Sequence, residues 1–307
     1  MTYDLAIIGG GPAGVAAGVY AARKKLKTVF ITKDWGGQSS VSTGIENWIG
    51  TVRLDGAELA KNLEVHLRAY IADTVTIQDG EWVQHVAQNG ADFRITTDAG
   101  AYDARAVLVA TGSARRKLQA KGADRLEHKG ITYCASCDGP VFAGKNVAVI
   151  GGGNAAFETA AQLLAYCPTV TIIHRRDSFK ADEIIVERVL ANPKTRVIKN
   201  ADITEVKGEK FVQEIIYKDK TTGVEQSLAV EGVFVEIGST PATDFVAEIV
   251  KRNHYNQIIT DSKTQRASIE GVWAAGDCTD GLYHQNNIAA GDAVKALEDV
   301  YLYLHGK

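Results

Sequence analysis

The sequence has few of the residues that stabilise small secreted domains. Four cysteines among 307 residues are too few for a disulfide scaffold, and the five prolines mark no linker between domains. At roughly 150 residues per domain, the length predicts about two domains, each with its own core. The low cysteine content favours a reducing, cytoplasmic compartment, where a Cys-x-x-Cys pair is more often catalytic or metal-binding than structural.

Long apolar runs and a strong excess of one charge are also absent. The longest apolar runs have the length of strands, well short of the ~20 residues that cross a bilayer. The net charge of −3 provides no basic field for nucleic acid or an anionic membrane. The N-terminus enters a strand almost at once, without the basic and apolar segments of a secretory signal. The composition therefore predicts a soluble protein with no nucleic-acid or membrane partner.

A weak internal repeat organises the chain. The segment YDLAIIGGGPAGVAAGVYAARK at 3–24 recurs as KNVAVIGGGNAAFETAAQLLAY at 145–166. Each copy has the pattern of an apolar strand, a glycine turn and an alanine-rich helix, and a second buried strand follows at 27–32 and 169–174. The repeat therefore predicts two βαβ nucleotide-binding folds in one polypeptide.

The remaining patterns predict further strands and a final helix. Apolar runs that end in glycine or an acid predict strands at 106–112, 232–238 and 271–277, and alternating stretches between them predict antiparallel excursions. Near the C-terminus, apolar residues recur at the spacing of an amphipathic helix packed on a core. These residues are Ala293, Val294, Leu297, Val300, Tyr301 and Leu304.

The first glycine turn, GGGPAG, matches G-x-G-x-x-G through Gly9, Gly11 and Gly14. In this pattern the glycines permit a tight turn, close approach of a pyrophosphate and close packing of helix on strand. Because the motif follows a strand and precedes a helix, a dinucleotide site is favoured over an ordinary glycine turn. The acid that usually holds the ribose is missing, since Thr32 and Lys33 stand at the end of the next predicted strand.

The second glycine turn, GGGNAA, gives G-x-G-x-x-A through Gly151, Gly153 and Ala156. The strand after it ends in IIHRRDSFK, with Arg175 and Arg176 where an acid would favour NAD. A guanidinium pair suits the 2′-phosphate of NADP, because its planar donor fork matches the phosphate oxygens. The alternative is a solvated basic patch at a helix start.

Residues 133–140, YCASCDGP, place two cysteines at Cys-x-x-Cys spacing with an acid behind them. A four-cysteine zinc site needs a second pair, whereas Cys167 and Cys278 are isolated and are predicted to be core thiols. A redox dithiol is favoured over zinc and over an inert buried pair. In such a turn the first thiol is usually the more exposed and the more acidic. Asp138 could exchange a proton with a thiolate or cap the following turn.

The ordered set of motifs resembles one protein family. GGGPAG, GGQ, IENWIG, ATG, CASCDG, GGGNAAFE, HRRDSFKA, IGSTPAT and AAGDC extend through essentially the whole chain. Together they resemble the low-molecular-weight thioredoxin reductases and the related flavoprotein subunit of alkyl hydroperoxide reductase. Each motif alone is weak, but the ordered set is highly specific.

The resemblance implies an α/β fold with two Rossmann-like three-layer domains. An NADPH domain (115–244) would be inserted into a discontinuous FAD domain (1–114 and 245–307). The first loop would bind FAD, with Asp277 on the ribityl–phosphate side and Gln285 approaching the isoalloxazine ring from the start of the final helix. The residues implied at the FAD site are Gly9, Gly11, Pro12, Ala13, Gly14, Gly37, Gln38, Asn47, Thr111, Gly112, Gly276, Asp277, Gln285 and Asn286.

For the inserted domain, the resemblance implies an NADPH site and the catalytic residues. Cys137 would face the flavin, Cys134 would attack the partner's disulfide, and Asp138 would be the acid–base group. The domain would rotate between two states that bring the dithiol or the nicotinamide to the flavin. The residues implied at the NADPH site are Gly151, Gly153, Asn154, Ala155, Ala156, His174, Arg175, Arg176 and Lys180.

The implied activity passes electrons from NADPH through FAD and the cysteine pair to the disulfide of thioredoxin or of a thioredoxin- or glutaredoxin-like protein, with the enzyme a homodimer. CDGPVFAGKNVAVIGGGN and ENWIGTVRLDGAELAKNLEVHLRAY look more like the hydroperoxide-reductase flavoprotein. The extra N-terminal thioredoxin-like domain of that protein is expected here to be a separate partner or to be unnecessary. Peroxiredoxin reduction is therefore an alternative, as are NADH or a ferredoxin as donor and a non-catalytic flavin/NADP-binding regulator.

Overall fold

A computed structural model of the protein describes residues 2–42, 44–70 and 74–306. The chain forms two compact units. Unit 1 consists of Met1–Ala114 and Thr240–Lys307, and unit 2, Arg115–Ser239, is inserted between these segments. The chain therefore returns to unit 1 at Thr240, and not at residue 245 as the resemblance implied. That unit 1 binds FAD and unit 2 binds NADPH stays a prediction.

The elements of unit 1 begin with a buried strand and a helix that follows it through a glycine turn. Its strands, numbered along the whole chain, are β1 (Thr2–Gly10), β2 (Thr28–Trp35), β3 (Val75–Asp79), β4 (Val83–Asn89), β5 (Asp92–Thr97), β6 (Ala101–Val109) and β17 (Val272–Ala274). Its helices are α1 (Pro12–Arg23), α2 (Gly56–Tyr70) and α7 (Asn286–His305), with 3-10 helices at Gly37–Val41 and Asp244–Val246. Two short strands, β7 (Ser113–Arg115) and β16 (Ser239–Pro241), pair where the chain leaves and re-enters unit 1.

Unit 1 is built on a seven-stranded sheet of order β3-β2-β1-β6-β5-β4, with β17 paired to the end of β6. The central strands pair in parallel, and Leu5 of β1 lies opposite Thr28 on one side and Ala106 on the other. β4 and β5 form the antiparallel excursion that the alternating pattern predicted. Because β1 is covered on both faces, its apolar run is nearly continuous, as is typical of parallel strands.

Two hydrophobic layers cover the faces of this sheet. On one face, Leu5 and Phe30 pack in the same cluster as Leu59 of α2 and Leu297 of α7. On the other face, the apolar side chains of β1, β5 and β6 pack with residues of the segments 246–258 and 267–278. The predicted amphipathic C-terminal helix is confirmed as α7, which buries Ala293, Leu297, Val300 and Leu304.

Unit 2 repeats the strand–turn–helix opening of unit 1. Its strands are β8 (Ile131–Thr132), β9 (Asn146–Gly151), β10 (Thr169–Ile173), β11 (Thr195–Ile198), β12 (Ala201–Lys207), β13 (Glu214–Asp219), β14 (Glu225–Ala229) and β15 (Gly232–Glu236). Its helices are α3 (Ala123–Leu126), α4 (Ala135–Asp138), α5 (Asn154–Leu163) and α6 (Glu183–Leu190), with a 3-10 helix at Gly139–Phe142.

A five-stranded parallel sheet of order β11-β10-β9-β15-β8 forms the centre of unit 2. Phe157 of α5 and Val189 of α6 pack on one face of this sheet, and the antiparallel sheet β12-β13-β14 covers the other, with Ile215 in its core. β10 and β15 flank β9 as the second and fourth strands of a Rossmann fold flank the first. The predicted fold class, with two Rossmann-like sheets, is therefore confirmed. Among the described residues, no helix is both long and apolar enough to span a bilayer.

Several strand ends differ from the sequence prediction. β2 continues past Thr32 to Trp35, which pairs with Gly10 and stacks on Phe30 at 5.5 Å between ring centroids. β15 and β17 end earlier than predicted, at Glu236 and Ala274, before glycines that turn the chain at positive φ. Packing of one tryptophan thus lengthens a strand that propensity alone would end.

The contact between α1 and the turn after β1 leads to a stability prediction. A Cβ at Gly14 would lie 1.8 Å from the carbonyl oxygen of Gly9, which is backbone and cannot rotate away. Gly14→Ala should therefore lower the free energy of unfolding by about 1–3 kcal/mol or more, measured by denaturant unfolding of unit 1 with tryptophan fluorescence.

The matched control is Gly291→Ala in the exposed middle of α7, where a Cβ would meet no atom within 4 Å. Alanine is the better helix former there, so this change should raise stability by up to about 1 kcal/mol. Equal effects of the two substitutions would contradict the proposed contact.

Candidate functional site

The first phosphate loop of the site connects β1 to α1. Gly9 has φ +119°, and a Cβ there would lie 2.3 Å from the carbonyl oxygen of Ala110. Gly11 is the N-cap of α1, where no side chain makes a capping hydrogen bond and proline begins the helix. Since no side chain caps this helix start, the N–H groups in the first turn of α1 are available to a phosphate.

A cavity of about 730 Å³ opens in unit 1 at the carboxyl ends of its parallel strands. Most residues predicted for the FAD site line it, and they come from five separate stretches of the chain. They are Gly9, Gly11, Pro12, Ala13, Gly37, Gln38, Thr111, Gly112, Gly276, Asp277 and Asn286. Position 112 favours glycine because its φ is +65°, although a Cβ there would meet no atom within 4 Å. The volume is within the range of cofactor-binding pockets.

Hydrogen bonds fix the polar groups of this cavity. Gln38 donates to Asp277 Oδ2 at 3.1 Å and to Ser113 Oγ at 3.3 Å. The hydroxyl of Thr111 donates to the carbonyl of Ala242 at 2.7 Å. The predicted Gln38 and Asp277 are therefore neighbours, although more than two hundred residues separate them in the sequence.

Asn47 and Gln285 are outside the set of lining residues, but they contact each other beside Asn286, which belongs to that set. Asn47 Nδ2 donates to Gln285 Oε1 at 3.2 Å, and Asn287 donates to the backbone carbonyl of Asn47 at 2.6 Å. Gln285 is the N-cap of α7 and makes no side-chain capping hydrogen bond. The structure thus joins the loop at 47 to the start of the last helix.

Sequence reasoning missed one end of the cavity. Lys33, Glu81 and Trp82 line it, and the Lys33 ammonium lies 4.7 Å from the centre of the Trp82 ring. Glu81 also accepts hydrogen bonds from the hydroxyl groups of Tyr102 and Thr97. No motif marks these residues, since Lys33 lies in β2 while Glu81 and Trp82 follow β3, and they become neighbours only through pairing of these strands.

The second phosphate loop, in unit 2, reproduces the first. A Cβ at Gly151 would lie 2.4 Å from the carbonyl oxygen of Glu236, and Ala156 replaces the third glycine, buried at the start of α5. Gly153 is the N-cap of α5, has no side-chain cap, and lies beside open space. Asn154 anchors the helix start by exchanging hydrogen bonds with Asp182 at 2.8 and 3.1 Å.

The basic residues predicted for NADPH follow β10 directly. Arg175 and Arg176 are exposed, whereas His174 is buried with its ring against Gly152 and its Nε2 3.1 Å from the carbonyl oxygen of Ser178. Burial lowers the pKa of His174, so the imidazole is neutral near pH 7. The backbone N–H of Lys180 donates to the carbonyl of Gly152 at 2.7 Å, which ties the basic segment to the loop.

Cys134 and Cys137 form a disulfide at the start of α4. Cys134 is the N-cap, and its sulfur accepts the backbone N–H of Cys137 at 3.2 Å. Cys134 is half-buried and Cys137 is exposed, in contrast to the usual order of exposure, because the sulfur of Cys134 is turned onto the helix start. After reduction, the same N–H would stabilise a thiolate on Cys134. Cys167 and Cys278 are buried free thiols.

Asp138 lies immediately after this pair. It is the N-cap of the following 3-10 helix, but its side chain makes no capping bond and accepts a hydrogen bond from the Thr132 hydroxyl instead. Burial raises the pKa of Asp138, and the Thr132 hydroxyl and the nearby His128 offset only part of this rise. The carboxyl group therefore holds a proton at a higher pH than an exposed aspartate does.

The chain belongs to the pyridine nucleotide-disulphide oxidoreductase family, whose model matches residues 3–293. The match includes both phosphate loops and the cysteine pair. The fold and the site thus define an oxidoreductase of this class.

Curated relatives support the family. The F component of alkyl hydroperoxide reductase from Escherichia coli (strain K12) is 38% identical over 304 residues. A protein named NADH dehydrogenase from Bacillus subtilis (strain 168) is 37% identical over 303 residues. Each alignment covers 98% of this chain and 58% of the relative, so the chain spans little more than half the length of these curated relatives.

Solved structures of thioredoxin reductases share the fold over the full chain. The thioredoxin reductase from Streptococcus pyogenes MGAS5005 has a TM-score of 0.92 at 34% identity, covering 100% of this chain and 99% of that one. The enzyme from Giardia duodenalis has a TM-score of 0.93 at 32% identity, covering 99% of each chain. The resemblance to both branches that the sequence motifs indicated is confirmed.

The family uses FAD and NADPH, and these are the cofactors of this chain. The residues present fit both groups. Unit 1 offers a cavity in front of an uncapped helix N-terminus, and unit 2 offers a second such N-terminus beside two exposed arginines.

The buried state of Asp138 leads to a pH-dependent stability prediction. Because its pKa is higher in the folded than in the unfolded protein, it stabilises the fold at low pH, and this contribution is lost as the pH rises through the folded-state pKa. Asp138→Asn should therefore be more stable than the unchanged protein near pH 8 and lose this advantage below the pKa of an unfolded aspartate.

Denaturant unfolding followed by circular dichroism at several pH values measures this difference. Asp177→Asn, at an exposed aspartate of the same unit, is the control and should show no such trend. A stability difference for Asp138→Asn that is the same at every pH would contradict the raised pKa.

Proposed function

We propose that the protein is an NADPH-dependent, FAD-containing disulfide reductase whose acceptor is thioredoxin or a thioredoxin-like protein. One observation carries the proposal. The unit with the second phosphate loop also presents a disulfide at a helix start, with a buried, proton-retaining carboxyl group next to it. An oxidoreductase that only binds nucleotides has no need of this dithiol.

Unit 1 is proposed as the FAD domain. The pyrophosphate would lie on the N-terminus of α1, close to Gly11, while Gln38 and Asp277 hold each other in the cavity wall. Asn47 and Gln285, linked by their hydrogen bond, would lie toward the isoalloxazine end. Lys33 and Trp82 add to the residues predicted from the motifs and line the same cavity where the usual ribose-binding acid is absent.

Unit 2 is proposed as the NADPH domain. The N-terminus of α5 after Gly153 would take the pyrophosphate, and Arg175 and Arg176 would hold the 2′-phosphate with their planar donor groups. Both arginines are exposed at the end of β10, where a Rossmann fold places the adenosine ribose. This position supports a phosphate-binding role over a general solvated basic patch.

The sulfur atoms of Cys134 and Cys137 occupy different positions and therefore take different roles in the reaction. FAD held by unit 1 would supply hydride acceptance from NADPH and the two electrons that open the Cys134–Cys137 disulfide. The reduced Cys134 thiolate, stabilised by the N–H of Cys137, attacks one sulfur of the partner's disulfide and displaces the other. Cys137 then attacks the mixed disulfide, which releases the partner as a dithiol and restores the Cys134–Cys137 bond.

Asp138 is proposed to manage the protons of this exchange. Opening a disulfide to two thiols takes up two protons, and an acid that stays protonated beside the pair can donate one to the departing thiolate. Burial keeps Asp138 protonated further toward neutral pH, and Thr132 holds its carboxyl group in place. Its role as a cap of the next turn is not supported, because no capping bond is made.

The surface around the disulfide indicates where a partner would dock. Val141, in the 3-10 helix that follows Asp138, has 65% of its surface exposed, and Tyr166 is exposed next to Gly139. Exposed apolar side chains beside the Cys134–Cys137 pair suit a protein partner that must bring its own disulfide to Cys134. We place the enzyme in a reducing cytoplasm, where its free Cys167 and Cys278 thiols persist, and expect it to act as a homodimer.

A second candidate is reduction of a peroxiredoxin through a thioredoxin-like partner domain. The similarity to the F component of alkyl hydroperoxide reductase over 98% of this chain favours it, as does the GPVF segment after the cysteine pair. The two candidates use the same residues in this chain and differ only in the protein that accepts the electrons.

The roles of the two sulfurs can be separated by substitution. Cys137→Ser should leave NADPH reduction of the flavin intact, abolish turnover with a disulfide acceptor, and trap the acceptor as a mixed disulfide on Cys134. Cys134→Ser should also stop turnover but trap no acceptor in this way. Flavin absorbance and non-reducing electrophoresis measure both effects.

Cys167→Ala is the control for the loss of a thiol and should keep full turnover, because this cysteine is a buried free thiol outside the disulfide. Disulfide reduction that continues unchanged in Cys137→Ser would overturn the assignment. Trapping by Cys134→Ser alone would reverse the two roles.

The acceptor is identified by nucleotide oxidation against a panel of partners. We expect NADPH to be oxidised faster than NADH, because of Arg175 and Arg176, with a thioredoxin or thioredoxin-like protein as acceptor. The panel contains thioredoxin, a glutaredoxin-like protein, and a peroxiredoxin with and without its thioredoxin-like partner domain. Turnover only with the complete peroxiredoxin pair would favour the second candidate, and no turnover with any acceptor despite full flavin reduction would contradict both.

A further inference from the structure

A buried carboxyl group lies beside the second phosphate loop and has no part in the mechanism proposed above. Glu236 is the last residue of β15, and it is paired in register with Gly151 at the end of β9. Only 5% of its side chain is exposed. The backbone of Glu236 is in direct contact with the loop, since its main-chain carbonyl oxygen would lie 2.4 Å from a Cβ at Gly151.

The partners of the Glu236 carboxyl group do not fully compensate its charge. Thr159 of α5 donates to Oε1 at 2.8 Å, and the guanidinium of Arg115 lies 3.5 Å from Oε2. The other charged group that acts on it is Glu158, which opposes ionisation. Burial outweighs the arginine and raises the pKa of Glu236 to about 7, so its charge changes within the physiological pH range.

The topology of unit 2 shows which part of a nucleotide would lie over this group. The chain moves outward from β9 through β10 to β11 and then returns to β15 on the other side of β9. Dinucleotides bind across the carboxyl ends of the strands at such a reversal. The adenosine half belongs over β10, where Arg175 and Arg176 are exposed, so the nicotinamide half belongs over the end of β15.

We propose that Glu236 is a specificity-determining residue for the oxidation state of the nicotinamide, favouring the positively charged oxidised ring over the neutral reduced ring. The inference depends on the proposed NADPH site in unit 2. Ionised Glu236 places one negative charge near the ring in a poorly solvated position, where it attracts the pyridinium cation and leaves the dihydronicotinamide unaffected. When Glu236 is protonated, this discrimination is lost.

Nucleotide binding and the ionisation of Glu236 are thermodynamically linked, so each affects the other. If the anion of Glu236 favours the oxidised nucleotide, the oxidised nucleotide must favour the anion by the same factor. Binding of NADP⁺ near pH 7 should then release protons from Glu236, whereas binding of a nucleotide with a neutral ring should not. Product formation at this site would thus be coupled to the protonation of a side chain of the enzyme.

The test compares two nucleotides that differ in the charge of the ring. Dissociation constants of the FAD-loaded enzyme are measured for NADP⁺ and for tetrahydro-NADP, whose neutral ring transfers no hydride, from about pH 6 to about pH 8. Both ligands carry the same phosphates, so the titration of the phosphates and of the basic residues that bind them cancels in the ratio. The preference for NADP⁺ should rise about fivefold over this range, out of the tenfold total expected for a pKa displaced by about one unit.

Substitutions assign the effect to this residue. Glu236→Gln retains the volume and can still accept a hydrogen bond from Thr159, and it should make the ratio independent of pH at its low-pH value. Glu231→Gln, at an exposed acid just before the other end of β15, should keep the full pH dependence. Calorimetry of NADP⁺ binding in buffers of different ionisation enthalpy measures proton release on the unchanged protein and does not depend on the folding of any variant.

The outcomes separate this inference from the proposed function. If both nucleotides bind and the ratio stays constant with pH in the unchanged protein, the role of Glu236 is overturned while the NADPH site stands. If neither nucleotide binds, the proposed function itself is overturned, and the role of Glu236 with it.

Discussion

The close contact of a helix with the turn before it is the constraint on which the rest of the structure depends. At Gly14 the helix backbone approaches the carbonyl of Gly9 so closely that no side chain fits, and Gly151 and Ala156 make the corresponding contact in unit 2. This contact determines the direction of each helix and leaves its N-terminus uncapped. The sheet order, the position of the cavity and the strand ends that carry the basic residues all follow from that placement.

Burial sets the pKa values of two acids in unit 2. Asp138 and Glu236 both retain protons at higher pH than exposed carboxyl groups, one beside the disulfide and the other beside the nucleotide loop. Each accepts a hydrogen bond from a threonine hydroxyl, and neither has a fully compensating cation. The environments of the two carboxyl groups near the proposed chemistry therefore determine the pH at which they ionise, as in many enzymes.

Much of the fold and part of the site could be predicted from the sequence, because they depend on local patterns. The two glycine turns, the parallel strands and the amphipathic helix α7 follow from spacing and hydrophobic periodicity alone. Lys33 and Trp82 could not be predicted, because they line the cavity only through pairing of β2 with β3. The high pKa of Glu236 was equally hidden, since it depends on burial against α5 and not on any neighbour in the sequence.

The packing of α7 has a consequence for how the protein is made. Its buried side chains complete the same hydrophobic cluster as Leu5 and Phe30 near the other end of the chain. During synthesis, the first segment of unit 1 must wait for the last helix to leave the ribosome before its core closes, whereas the contiguous unit 2 can fold earlier. Unit 1 is thus completed after unit 2, and the exposed strands of its first segment need protection from aggregation in the meantime.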